Sequence, residues 1–109
     1  MNYDLDFKNI LKIVTDGKEL SYQLSKSAFE IIMSGKATDA QISSFLTAIK
    51  MQNHNPTVIA AGAEILRDKC SKIKSKENTI DVVGTGGDNL GTLNISTAVS
   101  FVLAGTNIP

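Results

Sequence analysis

Half of the chain's eight glycines lie in one stretch, DVVGTGGDNLGTLNIST, which spans residues 81–97. Ile80, Val82 and Val83 form a β-branched run that predicts a short buried strand leading directly into the first glycine. Glycines allow positive φ and let the backbone approach an anion closely, so that successive N–H groups can converge on it. Asn94, Ser96 and Thr97 then open a predicted helix, whose free N–H groups and positive dipole end also favour a phosphate. The pattern therefore predicts a site for a phosphorylated ligand.

Neither of the two common nucleotide-binding motifs fits this loop. A dinucleotide fingerprint, G-x-G-x-x-G, starting at Gly84 would need a third glycine where Asn89 stands. A Walker A loop starting at Gly86 has Thr92 in place of the lysine that contacts the outer phosphates. A glycine-rich strand-to-helix turn that serves only close packing remains the alternative to a phosphate site.

Helix start and stop signals divide the part of the chain before the loop into segments. The first helix should end before Gly17, and the second should begin after Ser21 as N-cap and stop at Gly35. Thr38 and Gln41 have the spacing of a capping box and predict the start of a third helix. Apolar residues recur at helical spacing in all the segments and predict a shared core, together with a second face for a subunit contact. These residues are Phe7, Ile10, Leu11, Val14, Leu24, Ala28, Ile31, Ile32, Ile42, Phe45, Leu46, Ile49, Ile59, Gly62, Ala63, Leu66 and Cys70.

A fourth helix is predicted to begin at Asn55 and Pro56, as N-cap and first helical residue. Its interior contains Gly62, and glycine costs about 1 kcal/mol relative to alanine there, so a close approach of another helix is expected. Cys70 is expected to be a core residue at the end of this helix, and His54 to be a solvated turn residue. Neither has partners for nucleophilic catalysis nearby in the sequence, so no catalytic residue is assigned.

The fold class predicted is mainly α. An N-terminal helical domain of about four helices, residues 1–72, is followed by a basic linker, residues 73–79, and by the first strand and helix of an incomplete α/β domain, residues 80–109. The helix predicted from Ile95 to Gly105 is apolar on nearly every side, which implies a helix buried all round by neighbours that the 109 residues are not expected to supply.

Composition excludes several classes of partner. Eleven basic and eleven acidic residues give no net charge, which argues against a nucleic acid or an anionic membrane surface as a general partner. A single cysteine permits no intramolecular disulfide, the N-terminal residues lack the features of a signal peptide, and no apolar stretch is long enough to span a bilayer. These features favour a cytoplasmic protein.

Two stretches resemble a known enzyme family. DVVGTGGDNLGTLNISTAVSFVLAG, residues 81–105, closely resembles the signature of the anthranilate phosphoribosyltransferases, which join anthranilate to phosphoribosyl pyrophosphate in tryptophan biosynthesis and release pyrophosphate. EIIMSGKATDAQISSFLTAIKMQNHNPTVIAAGAEILRD, residues 30–68, is similar to the N-terminal helical domain of that family. The resemblance runs from about Leu20 onward and implies a small helical domain attached to a larger α/β domain, with the active site in the cleft at the hinge.

The resemblance also implies the roles of individual residues. Those that would bind phosphoribosyl pyrophosphate are Gly84, Gly87, Asp88, Thr92, Asn94, Ile95, Ser96 and Thr97. Gly84 would also border the anthranilate site, and Ser96 would help to hold Mg²⁺. The reaction implied is displacement of pyrophosphate at the anomeric carbon of the ribose, catalysed mainly by positioning and electrostatic stabilisation. A homodimer through the helical domain is a further implication.

Groups that the family uses beyond this loop are not among the 109 residues. The resemblance implies a Lys-His-Gly-Asn segment, an Asp-Glu pair for magnesium and an arginine near anthranilate, all following residue 109. Residues 78–109 contain no lysine or arginine, and a helix N-terminus contributes only about 0.3–1 kcal/mol per favourable charge. We therefore expect the 109 residues alone to be inactive and to bind phosphoribosyl pyrophosphate weakly or not at all.

Two alternatives to an anthranilate phosphoribosyltransferase stay open at this point. A pyrimidine nucleoside phosphorylase-like enzyme would share the architecture, although the Lys-x-Ser element that precedes the glycines in that family is missing here. A non-catalytic helical interaction module that retains the glycine loop is the other. In such a module residues 78–109 should be packed, because a free-standing protein rarely exposes so apolar a helix.

Overall fold

The computed structural model describes residues 3–53, 55–84 and 94–106 of the chain. Its helices are α1 (Tyr3–Thr15), α2 (Tyr22–Met33), α3 (Asp39–Met51), α4 (Pro56–Lys69) and α5 (Ile95–Ala104). The chain forms two compact units, residues 1–71 with α1 to α4 and residues 72–109 with α5. The predominance of helix confirms the mainly α fold class. None of the helices within the described ranges is long and apolar enough to cross a membrane.

The helices of the first unit begin at the residues that the sequence signals predict. Ser21 is the N-cap of α2, and its hydroxyl accepts a hydrogen bond from a first-turn N–H at 3.3 Å. The capping box of α3 is complete, because the Thr38 N–H donates to Gln41 Oε1 at 2.9 Å and the Gln41 N–H donates to Thr38 Oγ1 at 3.3 Å. Asn55 caps α4, with Pro56 as its first residue. Local hydrogen bonding thus fixes where three helices start.

Glycines mark the ends of α1 and α2. Gly17 and Gly35 have φ values of 74° and 68°, a left-handed conformation that other residues seldom adopt. The turn after α1 is also tied to the end of α3, because the Gln52 side-chain amide donates to the carbonyl oxygens of Val14 at 2.8 Å and Lys18 at 3.2 Å. These contacts hold the connection between α1 and α2 against the end of α3.

The core of the first unit draws on every one of its helices. Phe45 of α3 is completely buried, and its ring centroid lies 5.8 Å from that of Phe7 and 5.7 Å from that of Phe29, which meets it edge-on. Helix α2 packs against α1 and α4, and α1 also packs against α3. The buried residues of the core cluster are Phe7, Ile10, Val14, Leu20, Ala28, Ile31, Phe45 and Val58.

The close approach predicted at Gly62 is present between α2 and α4. A Cβ atom at position 62 would lie 2.7 Å from Cζ and 2.8 Å from Cε2 of Phe29. Real Cβ atoms essentially never make contacts this short, so any larger residue at position 62 would require the Phe29 ring or the helices to shift. Packing against Phe29 therefore compensates for the low helix propensity of glycine.

Some residues predicted to be core are exposed. Leu24 of α2 is 37% exposed and Leu46 of α3 is 51% exposed. In α4, Ile59 and Leu66 are each about half exposed, at 53% and 48%. The apolar residues of α4 occupy two faces, and only the face with Val58, Ala61, Gly62 and Ile65 is buried. The sequence pattern correctly identifies apolar faces but does not say which of them is covered within the unit.

Cys70 also differs from its prediction as a core residue. It is the C-cap of α4, its backbone is extended, and its side chain is exposed. The thiol donates to the carbonyl oxygen of Arg67 at 3.2 Å. Because the chain leaves the helix at this residue, its side chain points away from the buried face. His54 lies outside the described residues.

No strand is formed over Ile80–Val83, and none is present elsewhere in the described residues. A strand is held by a ladder of hydrogen bonds to a neighbouring strand, and the described part of the second unit provides no such neighbour. Instead the Asp81 carboxylate accepts a hydrogen bond from the Val83 N–H at 2.9 Å, forming a local turn. The predicted strand is therefore not formed over residues 80–83.

The neighbours that would bury the last helix are not present in the described residues. Helix α5 has the predicted position, but none of its residues is buried. Its exposed large apolar side chains are Ile95, Val99, Phe101 and Val102, exposed by 63%, 39%, 77% and 69%, whereas Leu103 is partly buried. A helix of this composition is buried only where other elements cover it, and the described part of residues 72–109 contains no second helix or strand.

Candidate functional site

The first turn of α5 is a capped helix N-terminus, a place where anions often bind in proteins. Asn94 is the N-cap, and its side-chain oxygen accepts a hydrogen bond from the Thr97 N–H at 3.0 Å. The first intrahelical bond runs from the Ala98 N–H to the Asn94 carbonyl oxygen at 3.1 Å. An α-helix leaves its first N–H groups without intrahelical partners, so those of Ile95 and Ser96 have no partner within α5. The apolar Ile95 can therefore contribute to a phosphate site through its backbone.

Gly84 and Ser96 are brought together in the structure. A Cβ atom at position 84 would lie 3.1 Å from Ser96 Oγ, which is tighter than nearly all real contacts of that kind. Any larger residue at position 84 would displace the Ser96 side chain or the backbone before the loop. The two ends of the glycine stretch therefore meet at the N-terminus of α5, within the second unit.

Five of the eight predicted phosphoribosyl pyrophosphate ligands lie within the described residues, and three lie outside them. Gly84, Asn94, Ile95, Ser96 and Thr97 are described, and all are located at or beside the start of α5. Gly87, Asp88 and Thr92 fall in the stretch outside the described residues. The assignment of all eight as ligands remains a prediction.

Neither a cation nor a ready metal site accompanies these donors. The sequence has no lysine or arginine between residues 78 and 109. In the described ranges, no group of three or more His, Cys, Asp or Glu residues is placed to hold a metal ion. Magnesium in proteins is usually bound by one or two carboxylates together with water and substrate phosphates. Ser96 can therefore supply one oxygen to such an ion, but not a complete site.

The perturbed titratable groups of the described residues lie elsewhere, between α2 and α4. The pKa of Glu64 is lowered, first by a hydrogen bond from Lys26, at 2.6 Å, and then by one from the Tyr22 hydroxyl. The pKa of Glu30 is lowered chiefly by Lys69, whose Nζ lies 2.5 Å from Glu30 Oε1.

Sequence reasoning did not predict these ion pairs. The only sequence signal was the i and i+4 spacing of Tyr22 and Lys26, which places both side chains on one face of α2, where they can contact the same partner. Both ion pairs join α2 to α4, so they explain the pKa shifts without a catalytic role.

Comparison with known families places both units. The model of a glycosyl transferase family's helical bundle domain matches residues 8–70, and the model of its a/b domain matches residues 76–109. The chain belongs to this glycosyl transferase family. Within the family, α1 to α4 correspond to the helical bundle domain, and the glycine stretch and α5 belong to the a/b domain. The two matches meet close to the division between the compact units.

Individual members of the glycosyl transferase family are similar to nearly the whole chain. Anthranilate phosphoribosyltransferase of Parvibaculum lavamentivorans is 42% identical over 104 residues, which are 95% of this chain and 30% of that protein. The enzyme of the same name from Paramagnetospirillum magneticum is 45% identical over 102 residues, with 94% and 30% covered. Bifunctional protein TrpGD of Thermotoga maritima is 39% identical over 107 residues, with 97% and 18% covered.

The chain spans about 30% of the length of the first two of these family members. No solved structure matches it.

Proposed function

We propose that this chain is the N-terminal part of an anthranilate phosphoribosyltransferase. The complete protein would transfer the phosphoribosyl group of phosphoribosyl pyrophosphate to anthranilate, a step of tryptophan biosynthesis. The observation that carries this proposal is the similarity to enzymes of that name over nearly the whole chain, at 42% and 45% identity, including the glycine stretch. The pyrimidine nucleoside phosphorylase alternative is not favoured, because the relatives described above have other names.

In this proposal the glycine stretch and the first turn of α5 hold phosphoribosyl pyrophosphate. The N–H groups of Ile95 and Ser96 donate to phosphate oxygens, while Asn94 fixes the helix start by binding the Thr97 N–H. Gly84 keeps the backbone close to Ser96, beside the anthranilate. The remaining proposed ligands are Gly87, Asp88 and Thr92.

Magnesium is proposed as the cofactor. When bound, Mg²⁺ would neutralise charge on the departing pyrophosphate, and the Ser96 hydroxyl would supply one of its oxygen ligands. The chain's own groups would position the ribose and donate N–H groups to the leaving phosphates, which is the electrostatic part of catalysis. No group in this chain is proposed to transfer a proton.

We further propose that the protein forms a homodimer through the helical domain. We also propose that it is located in the cytoplasm. The dimer is supported by the half-exposed apolar residues Ile59 and Leu66 on the outer face of α4, which a partner subunit would cover. The cytoplasm is supported by the single cysteine, which permits no intramolecular disulfide. Sedimentation of the chain tests the dimer, because replacing Ile59 and Leu66 with serine should yield monomers.

The activity is tested in a chimera. The N-terminal part of the Parvibaculum lavamentivorans enzyme that matches this chain is replaced by the 109 residues, and loss of anthranilate fluorescence is followed with phosphoribosyl pyrophosphate and Mg²⁺. We expect transferase activity in the chimera and none with the 109 residues alone. A folded chimera that is inactive with anthranilate but cleaves pyrimidine nucleosides with phosphate would refute the proposal.

A variant of the chimera tests the site. Gly84→Ala should lower kcat/KM for phosphoribosyl pyrophosphate by about tenfold or more, because the new methyl group meets Ser96 Oγ at 3.1 Å. Ile73→Ala is the matched control, since Ile73 is in the same unit, is 89% exposed and lies outside the predicted strand. Equal effects of the two substitutions would show that the contact with Ser96 does not matter for substrate binding.

A further inference from the structure

A cluster of three polar side chains joins the end of α2 to the end of α4. Lys69 Nζ donates to Glu30 Oε1 at 2.5 Å and to Ser34 Oγ at 3.4 Å, and Ser34 Oγ donates to Glu30 Oε1 at 3.2 Å. Ser34 is the C-cap of α2, and Lys69 is the last residue of α4. We call Glu30, Ser34 and Lys69 the Glu30 cluster.

Lys69 supplies a charge that the end of α2 lacks. The last turn of α2, residues 30–33, contains Glu30 but no basic residue. The C-terminal end of a helix carries a partial negative charge, so a carboxylate is unfavourable there and a cation is favourable. Lys69 brings that cation from α4. It is also the main reason that the pKa of Glu30 is lowered, with a smaller contribution from Lys36.

The last turn of α4 lies beyond the buried part of that helix. The buried residues of α4 end at Ile65, and residues 66–69 are all exposed. The Cys70 N–H donates to the Leu66 carbonyl oxygen at 2.9 Å, which is a bond within the turn itself. Helix ends without buried side chains open at a low cost in free energy. The Glu30 cluster therefore ties this turn to another helix at a point where no buried side chain of α4 does so.

The same turn determines where the chain leaves the first unit. Cys70, directly after Lys69, has an extended backbone and is the C-cap of α4. The boundary between the two compact units lies between Ser71 and Lys72, and residues 71–79 form neither helix nor strand. A run of four residues spans about 6 Å as a helix and about 13 Å when extended. Unwinding of residues 66–69 would therefore lengthen the connection to the second unit by about 7 Å.

We propose that the Glu30 cluster is a salt-sensitive conformational switch. While Lys69 binds Glu30, residues 66–69 stay helical; when the pair separates, they unwind and join the connection between the units. The side chains of Lys69 and Glu30 are 37% and 43% exposed. Salt screens ion pairs of this kind, so ionic strength shifts the equilibrium between the helical and the unwound turn. The switch concerns the first unit alone and does not depend on the proposed function.

Amide hydrogen exchange in the 109-residue chain, followed by NMR, tests the switch. Glu30→Gln removes the charge from α2, keeps the shape of the side chain and changes no residue of α4. We expect the protection factors of the Lys69 and Cys70 amides to fall by about two- to fivefold, which is the effect of losing an exposed ion pair. Raising the NaCl concentration should lower the same protection factors in the parent chain, but not in Glu30→Gln.

Two further variants separate the switch from a general loss of stability. Glu64→Gln is the matched control, because Glu64 pairs with Lys26 in the other ionic contact between α2 and α4 but lies before the last turn. It should leave the Lys69 and Cys70 amides unchanged. Lys69→Met, which keeps helix propensity, should lower their protection less in the Glu30→Gln background than in the parent, since both substitutions remove one contact. Circular dichroism checks that every variant remains helical.

Three results would overturn the proposal. The first is a Glu30→Gln variant in which the Lys69 and Cys70 amides are as protected as in the parent. The second is an equal loss of protection in Glu64→Gln, which would mean that the turn opens only when the whole unit unfolds. The third is a parent chain in which protection of these amides does not change with NaCl concentration, because an ionic contact this exposed has to respond to screening.

Discussion

Replacing Gly62 with alanine tests whether close packing between α2 and α4 outweighs helix propensity. The new Cβ would lie 2.7 Å from Cζ of Phe29, whereas ordinary contact begins at about 3.4 Å. The ring would therefore have to move by about 0.7 Å, the difference between these two distances. The same ring packs edge-on against Phe45, which is completely buried, with the ring centroids 5.7 Å apart. A shift of the Phe29 ring would therefore disturb its packing against Phe45.

The expected magnitude comes from two opposing contributions. Alanine is favoured over glycine in a helix interior by about 1 kcal/mol, and overpacking a well-packed core costs about 1–3 kcal/mol. The middle of the range for overpacking, about 2 kcal/mol, exceeds the gain of about 1 kcal/mol from helix propensity. We therefore expect Gly62→Ala to lower the free energy of unfolding of the helical unit by about 1 kcal/mol.

Urea unfolding followed by far-UV circular dichroism measures this change. Ala63→Gly is the matched control, because its side chain is exposed on the same helix and should show the loss of propensity alone, about 1 kcal/mol. In a Phe29→Leu background the ring is absent, so Gly62→Ala should become neutral or stabilising. A Gly62→Ala variant that is more stable than the parent by about 1 kcal/mol would refute the packing argument.

Two further predictions concern the helical unit. Thr38→Ala removes the N-cap of α3 and should lower the free energy of unfolding by about 1 kcal/mol in urea, whereas Thr47→Ala, exposed within the same helix, should not lower it. Lys26 and the Tyr22 hydroxyl hold the pKa of Glu64 below 4.5, so the unfolded chain binds more protons in acid, and the stabilisation present above about pH 4.5 is lost as the pH falls. Glu64→Gln should flatten this part of the stability–pH curve, and an unchanged slope would contradict the assignment to Glu64.

Helix boundaries in the first unit could be predicted from the sequence because their determinants are local. The capping box of Thr38 and Gln41 joins residues three apart, and Asn55 bonds an N–H two residues away. Such contacts need no distant segment, so residue type and spacing are sufficient. The choice between two apolar faces of α4 is different. Ile59 and Val58 are equally apolar, but only the position of α2 decides that Val58 is buried.

The unformed strand and the exposed helix of the second unit have a single physical origin. A strand at residues 80–83 requires ladder partners, and burial of Phe101 requires covering layers; both are non-local. The sequence pattern indicates that these segments favour a strand and a buried helix. It contains no information on the neighbouring strand and the covering layers that both would require. The Val83 N–H has no strand partner in the described residues, so it donates instead to the Asp81 side chain in an Asx-type hydrogen bond.

One part of the candidate site depends on local contacts and the other part depends on distant segments. Asn94 caps α5 by a bond to a residue three positions away, and the N–H groups of Ile95 and Ser96 have no partner within the helix. The position of Gly84 relative to these donors depends on the segment before it, which a sheet would hold straight. Because neutralisation of a pyrophosphate also needs cations that residues 78–109 lack, we expect the 109 residues alone to bind such a group weakly or not at all.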